Sequence, residues 1–170
     1  LPLEDWLGAT DRGYRINKAM LAEHVASDEG GNLICVNQTF WKYSGGVWKR
    51  SEDAQIKAQI RRKIAMREEA LGCLTSALVE DLFKQLGLIL IAPPEFQFNR
   101  EPMIINFTNG TLDLNEGVFS GSHRRELFQN IQFPYDFNRD SHCPNWNLFL
   151  ESLEFDPDTL SRLQEWAGYC

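Results

Sequence analysis

Two pairs of side-chain oxygens in this sequence have the spacing used in metal-assisted nucleotidyl transfer. Asp156 and Asp158 flank a proline, and Asp113 lies two residues before Asn115. Two carboxylates on one strand face can hold the two metal ions of such a reaction. Asp156 followed by Pro157 is equally typical of the start of a helix, and Asn115 stands where the second acid would be required. We therefore predict no catalytic residue, metal site or cofactor site in this chain.

Binding of nucleic acid is the second chemistry that the sequence suggests. Cations that neutralise phosphates and aromatic rings that stack on bases are the groups it requires. The candidate residues are Lys57, Arg61, Arg62, Lys63, Arg124, Arg125, Trp41 and Trp48. A structural alternative stays open, because bases late in a helix also complement its dipole and aromatic residues also fill cores. The two tryptophans qualify only if their rings are exposed.

Composition and missing motifs exclude several function classes. The chain has 17 basic and 24 acidic residues, a net charge of −7, which argues against nucleic-acid binding through the whole surface. It contains no G-x-x-x-x-G-K-S/T phosphate loop, no G-x-G-x-x-G, no H-E-x-x-H and no G-x-S-x-G. Its four cysteines are widely spaced, which predicts small buried thiols in a reducing compartment. The longest apolar stretch, residues 86–94, is too short to span a membrane.

Helical periodicity predicts about five helices around these candidate residues. Asn17 is placed to cap the first, over residues 17–25. Ser51 is placed to cap the longest, over residues 51–69, whose buried stripe is Ile56, Ile60 and Ile64. A leucine-lined helix over residues 75–86, ended by Gly87, should form a helical hairpin with it. A pair of C-terminal helices begins near Pro144 and at Asp156.

Strand patterns predict two small antiparallel β-units. The first comprises residues 33–36, 39–43 and 47–49, with Phe40 on the face opposite to Trp41 and Tyr43. The second comprises residues 103–107, 111–114 and 118–119, joined first by an Asn109-Gly110 turn. Alternating apolar residues at 131–137 suggest a further extended segment. The predicted fold class is α+β, with two small antiparallel β-units packed against about five helices.

Length and termini bear on the domain organisation. A chain of 170 residues suits one domain, which we place at residues 15–170 with residues 1–14 as a linker or arm. The chain begins with Leu1 and ends in an apolar pattern at Cys170, so we expect a fragment of a longer polypeptide. The N-terminus lacks the features of a secretory signal, which favours a cytoplasmic location.

Three segments together resemble a known family. They are residues 40–48 (FWKYSGGVW), residues 105–114 (INFTNGTLDL) followed by Gly117, and residues 143–169, which open with CPNW and close with LQEWAGY. In order and spacing they resemble the domain that precedes the superfamily-three helicase motor in phage and plasmid primase–helicases. A related domain occurs in poxvirus helicase–primases.

The resemblance implies a role in DNA replication inside a bacterial host cell. The domain would be a non-catalytic intermediate or collar domain that supports ring assembly and guides single-stranded or forked DNA to the motor. It implies a downstream AAA+ motor in the same chain, which binds ATP and magnesium, hydrolyses ATP and assembles as an oligomer, typically a hexamer. The parent protein would be an ATP-dependent DNA helicase, with a primase module as a further expectation. The alternative is an interaction module that recruits replication proteins without touching DNA.

Overall fold

The computed structural model describes residues 5–169, and their side chains as far as residue 167. It confirms an α+β fold in which helices pack with small antiparallel sheets. The chain divides into two compact units at the junction between Phe137 and Asn138, and each is described separately below.

The described elements follow one another in a simple order. The first unit contains β1 (Leu7–Thr10), β2 (Gly13–Ile16), α1 (Lys18–Asp28), β3 (Leu33–Val36), β4 (Thr39–Ser44), β5 (Val47–Arg50), α2 (Asp53–Ala65), a 3₁₀ helix (Glu68–Cys73), α3 (Ser76–Ile89), β6 (Ile104–Phe107), β7 (Gly110–Asp113), β8 (Val118–Ser120) and a second 3₁₀ helix (Arg125–Leu127). The second unit contains α4 (Pro144–Ser152) and α5 (Pro157–Tyr169).

The N-terminal residues depart from the expected linker or arm. β1 and β2 form an antiparallel hairpin, and the Trp6 ring just before it is only 2% exposed within the core. The Asn17 amide donates to the Trp6 carbonyl at 2.8 Å, which joins the hairpin to the start of α1. The short polar strands gave no clear alternation of apolar residues, so the sequence pattern missed them.

Helix α2 places its predicted isoleucine stripe in the core but begins and ends differently from the prediction. Ile56, Ile60 and Ile64 are each no more than 1% exposed. The expected cap, Ser51, is not at the helix start, since Glu52 occupies the N-cap position without a side-chain bond. Ser51 is buried instead, and its amide donates to the Phe40 carbonyl at 2.9 Å. The helix ends at Ala65, before the first 3₁₀ helix.

Helix α3 forms the centre of the helical layer. Thr75 caps it through a 3.1 Å bond from the Leu78 amide, and Leu82 and Leu86 are each 1% exposed. It packs against both α1 and α2. The predicted hairpin of α2 and α3 is therefore present, and α3 also contacts α1. Gly87 does not end α3, which continues to Ile89, and it lies where the helix packs against Phe40 and Cys35.

The sheet β3-β4-β5 has one face on this helical layer. Leu33, Cys35 and Phe40 are buried on that face, and the Phe40 ring lies 5.1 Å from that of Phe83 on α3. Strand order and the opposed faces of Phe40 and Trp41 match the prediction. The outer edge of β3 is closed by a single parallel bridge to Ile91.

The sheet β6-β7-β8 confirms the second predicted β-unit with a shifted turn. Phe107 pairs with Gly110, so the two loop residues are Thr108 and Asn109 and not Asn109 and Gly110. Gly110 has a φ of +152°, a region that favours glycine. A Cβ on Gly110 would overlap the Ser120 carbonyl oxygen on β8.

Residues 131–137 form the extended segment that their alternation predicted, without being a regular strand. The Phe133 amide donates to the Asn106 carbonyl, and the Thr108 amide donates to the Tyr135 carbonyl. These two bonds run beside β6, and a bend at Pro134 interrupts further pairing. The segment therefore covers the edge of the sheet without joining it as a strand.

The second unit is a pair of helices, as predicted. Pro144 lies in the first turn of α4. Asp156 caps α5, because its carboxylate accepts the Thr159 amide at 3.0 Å and the Thr159 hydroxyl at 2.6 Å. These bonds lower the pKa of Asp156, and the side chain needs no metal to explain its position.

The cysteines only partly match the prediction of small buried thiols. Cys35 is buried, Cys73 is half-buried and Cys143 is exposed beside the start of α4, while Cys170 lies outside the described residues. All three described cysteines are free thiols. Within residues 5–169, no helix has both the length and the apolar composition needed to cross a membrane.

We predict that Ile60→Ala lowers the free energy of unfolding by about 2–5 kcal/mol, because it opens a cavity between α2 and the core. Urea denaturation followed by circular dichroism measures the change. Gln55→Ala, on the exposed side of the same helix, should stay within about 0.5 kcal/mol of the parent. Equal losses for the two variants would contradict the assigned helix face.

A second prediction concerns the Gly110 turn. Gly110→Ala should destabilise the chain by about 1–3 kcal/mol, since the added Cβ meets Ser120 and the backbone φ is unfavourable for alanine. Gly121→Ala is the matched control, because a Cβ there would have no atom within 4 Å. The melting temperatures of both variants are measured by thermal unfolding. An unchanged melting temperature of Gly110→Ala would contradict the close contact between Gly110 on β7 and Ser120 on β8.

Candidate nucleic-acid interface

The four basic residues of α2 that were predicted to contact DNA fall into two groups. Arg61 and Arg62 are exposed on its outer side. Lys57 is held by Glu80 of α3 at 2.6 Å and lies 4.8 Å from the Phe83 ring centroid. Lys63 is held by Asp28 at the end of α1 at 2.5 Å. The two lysines therefore join helices, while the two arginines present their charge to the solvent.

Of the predicted contacts Arg124 and Arg125, one is likewise exposed and the other is held by neighbouring residues. Arg124 is exposed. The Arg125 guanidinium donates to the Gly30 carbonyl at 2.7 Å and to the Asn32 side-chain oxygen at 3.2 Å. It also lies 3.5 Å from the Glu126 carboxylate. Arg125 thus anchors the second 3₁₀ helix to the turn between α1 and β3.

The outer face of the sheet β3-β4-β5 is covered by other aromatic residues. The contacts pass from ring to ring, with neighbouring centroids 4.6–5.6 Å apart. This aromatic cluster consists of Trp41, Tyr43, Trp48, Phe96, Phe98 and Phe128. The three rings that cover the sheet, Phe96, Phe98 and Phe128, come from the loop after α3 and from the end of the second 3₁₀ helix. They do not come from the helices that follow the sheet. Each ring is therefore held by packing between loop and sheet.

Trp48 does not meet the condition set for base stacking. It is 1% exposed, its ring stacks on Phe128 at 5.6 Å, and its indole nitrogen donates to the Arg125 carbonyl at 3.1 Å. Trp41 is half-buried and packs against Phe98 at 4.6 Å. Trp48 is covered by protein and cannot accept a base, whereas the partly exposed Trp41 stays a predicted stacking residue.

Two basic residues escaped the sequence-based selection. Lys49 and Arg50 are exposed at the end of β5, directly before α2. Lys49 lies opposite Lys42 in the strand register, and Arg50 lies opposite Trp41. Lys42 is engaged by Glu29 at 2.8 Å. Their place between Trp48 and α2 in the sequence was the available signal, although the acidic Glu52 and Asp53 separate them from Arg61 and Arg62.

The carboxylate pairs from the sequence have structural roles in the turns. Asp113 accepts the amides of Asn115 at 2.9 Å and Glu116 at 3.3 Å, which closes the turn between β7 and β8. Across the described part of the chain, no three metal-ligating side chains come together.

A comparison with protein families found a match to this chain. A family model described as D5 N terminal like matches residues 17–153, which is most of the chain. The match includes both three-stranded sheets, α1 to α3 and α4. The comparison with curated proteins found no match.

We predict that Arg125→Lys lowers the melting temperature although it keeps the positive charge. A lysine cannot reproduce the guanidinium bonds to both Gly30 and Asn32. The expected loss is about 1–2 kcal/mol, measured by thermal unfolding. Arg124→Lys is the control and should leave the melting temperature unchanged. A stable Arg125→Lys variant would contradict the anchoring role.

Proposed function

The chain belongs to the D5 N-terminal-like family, the domain of phage and plasmid primase–helicases, and we propose that it is the non-catalytic collar domain of such an enzyme. Family membership makes it a primase–helicase-related N-terminal domain. The observation that carries the proposal is the family match over residues 17–153. In this role the domain supports ring assembly and guides single-stranded or forked DNA toward an ATPase motor.

Exposed arginines supply the DNA contact in this proposal. Arg61 and Arg62 lie side by side on α2 with their charges in solvent, and Arg124 adds a third exposed cation. So few exposed cations suit weak contact with a few phosphates, because the chain as a whole carries a net charge of −7. Weak contact is compatible with DNA that must move through a ring.

The mechanism is positional. Lys57 and Lys63 tie α2 to α3 and α1, so the arginines between them on α2 stand on a helix with fixed neighbours. A rigid element holds a contact more precisely than a loop does. The domain would keep DNA in line with the motor without performing a chemical step.

The remaining parts of the proposal concern the parent protein. ATP, magnesium and ATP hydrolysis belong to a downstream AAA+ motor, and the assembly is a homo-oligomer, typically a hexamer, in the cytoplasm of a bacterial host. Sequencing the parent gene beyond the codon for Cys170 tests this part. A phosphate-loop motif within the next few dozen codons would support it, and an unrelated downstream domain would overturn it.

An interaction module that never touches DNA is the second candidate function. The second unit favours it, since several large apolar side chains on its two helices and their connection are 45–66% exposed. They are Trp146, Leu148, Phe149, Phe155 and Trp166. Exposed apolar surface of this kind is typical of protein contacts. The acidic net charge favours the same alternative.

We predict that removing two cations from α2 weakens single-stranded DNA binding and its salt dependence together. Arg61→Gln with Arg62→Gln should lower the slope of log affinity against log salt by about 1.4, since each phosphate contact on a single strand contributes about 0.7. Fluorescence anisotropy with a labelled oligonucleotide at several salt concentrations measures both quantities.

The matched control removes the same charge elsewhere in the first unit. Arg12→Gln with Arg15→Gln changes two exposed arginines of the β1–β2 hairpin and should leave the slope unchanged. If both double variants lowered the slope of log affinity against log salt equally, the effect of the α2 variant would be explained by the change in net charge alone. Absence of binding by the parent chain at physiological salt would favour the interaction module.

A further inference from the structure

The cover over the outer face of the sheet β3-β4-β5 ends at one row of side chains. In the strand register Ile34 lies opposite Trp41, and Trp41 lies opposite Arg50. Residues that are directly opposite in antiparallel strands point to the same face, so these three form a row across the outer face. Trp48, two residues before Arg50 on β5, is buried, whereas Trp41 is half-buried and Arg50 is exposed. The row therefore lies at the border between the covered part of the sheet and the solvent.

The charge of Arg50 is not used within the described part of the chain. Its guanidinium takes part in none of the ion pairs among these residues. It does not lie over the Trp41 ring either, since the two cation–π contacts of the described residues involve other side chains. The Arg50 charge and the exposed part of the Trp41 ring are consequently both available to a ligand.

The Trp41 ring is held in place by its surroundings. It lies 4.6 Å from the Phe98 ring, and the two planes are tilted by 49°. Its backbone belongs to the central strand β4, which is paired on both sides. A side chain on a paired strand is positioned more precisely than one on a loop. The indole thus offers a fixed, flat and partly exposed surface beside the Arg50 charge.

This pair of side chains determines the class of ligand. The Cβ atoms of directly opposite residues lie about 4.5–5.5 Å apart, so a ligand that contacts both must carry a flat ring and an anion close together. A nucleotide does so, because one sugar joins its base to its phosphate. Stacking of bases on aromatic rings and neutralisation of phosphates are the two contacts by which proteins hold single strands. Glu52 and Asp53 follow at the start of α2, and their negative charges limit the contact to a single phosphate.

We propose that Trp41 and Arg50 bind one nucleotide of single-stranded DNA, with its base on the exposed part of the Trp41 ring and its phosphate on the Arg50 guanidinium. The proposal rests on the proposed function, since it adds a base contact to a domain that guides DNA. It requires an unpaired strand, because the bases of a duplex are stacked on one another. The contact uses neither Arg61 nor Arg62.

Removal of the Arg50 charge tests the phosphate contact. Arg50→Gln should lower the slope of log affinity against log salt for single-stranded DNA by about 0.7, since one phosphate contact is lost. Lys49→Gln is the matched control, because Lys49 is the exposed neighbour of Arg50 on β5 and points to the other face. The control should leave the slope unchanged. If both variants lowered the slope equally, the proposed contact of Arg50 would be overturned.

Comparison of a base-bearing oligonucleotide with an otherwise identical abasic one tests the stacking contact. The unmodified chain should bind the base-bearing strand roughly tenfold more tightly, as expected for stacking of one base. Trp41→Leu should remove most of this preference, whereas Trp166→Leu, which removes an exposed indole of the second unit, should leave it unchanged. Equal affinities of the unmodified chain for the two strands would overturn the proposal and favour an acidic protein segment as the partner of Arg50.

The contact of Trp41 with Phe98 makes a second variant necessary. Trp41→Leu loses this contact, so its melting temperature is measured together with its affinity. Trp41→Phe keeps an aromatic ring and should retain part of the preference for the base-bearing strand. An unchanged preference in a folded Trp41→Leu variant would overturn the proposal, as would a preference lost equally in the phenylalanine and leucine variants.

A titration with a mononucleotide keeps the test independent of the α2 contact. The chain is labelled with 5-fluorotryptophan, its Trp41 signal is assigned from the spectrum of Trp41→Phe, and deoxyadenosine monophosphate is added while ¹⁹F NMR spectra are recorded. The Trp41 signal should shift to saturation, less so in Arg50→Gln, while the signal of the buried Trp48 stays in place. This result would support the site even if Arg61 and Arg62 proved irrelevant to DNA binding. An unchanged Trp41 signal at millimolar nucleotide would overturn it, whatever the salt dependence of oligonucleotide binding shows.

Discussion

The sheet β3-β4-β5 is buried on both faces, and the rest of the first unit is built on that constraint. Its inner face carries Phe40 and meets α3, while its outer face carries Trp41, Tyr43 and Trp48, which Phe98 and Phe128 contact from outside the sheet. A short sheet exposed on one side would leave three large aromatic rings in water. The loop after α3 and the second 3₁₀ helix are drawn back over the sheet because these rings gain most by burial.

The same constraint decides which charged residues are available for binding. Arg125 is not free for a partner, because it bonds the Gly30 carbonyl and holds the second 3₁₀ helix over the sheet. Lys57 and Lys63 are not free either, because they form ion pairs between α2 and its neighbouring helices. The two lysine ion pairs contribute little stability individually but orient the helices. Arg61, Arg62 and Arg124 are the predicted DNA contacts whose charges stay in solvent.

The aromatic cover also creates a small cavity beside β6. Gln129 follows directly after Phe128, and its backbone is tied to Trp48, so the packing of the cluster sets the direction in which the chain continues along β6. Asn106 is buried because that continuing segment covers the edge of β6. The small cavity beside β6 thus follows from the covering of the first sheet and lies where the second sheet begins.

The sequence by itself determined the α+β class, the isoleucine and leucine stripes of α2 and α3, both three-stranded sheets, the caps at Asn17 and Asp156, and the family resemblance. These features depend on local periodicity and capping chemistry, which neighbouring residues carry. The tertiary structure alone decided that Trp48 is buried, that Arg125 is an anchor, that Trp6 enters the core and that Asn106 shares a cavity with Gln129. Each of those outcomes depends on contacts between segments distant along the chain, and periodicity within one segment holds no information about which distant segment will cover it.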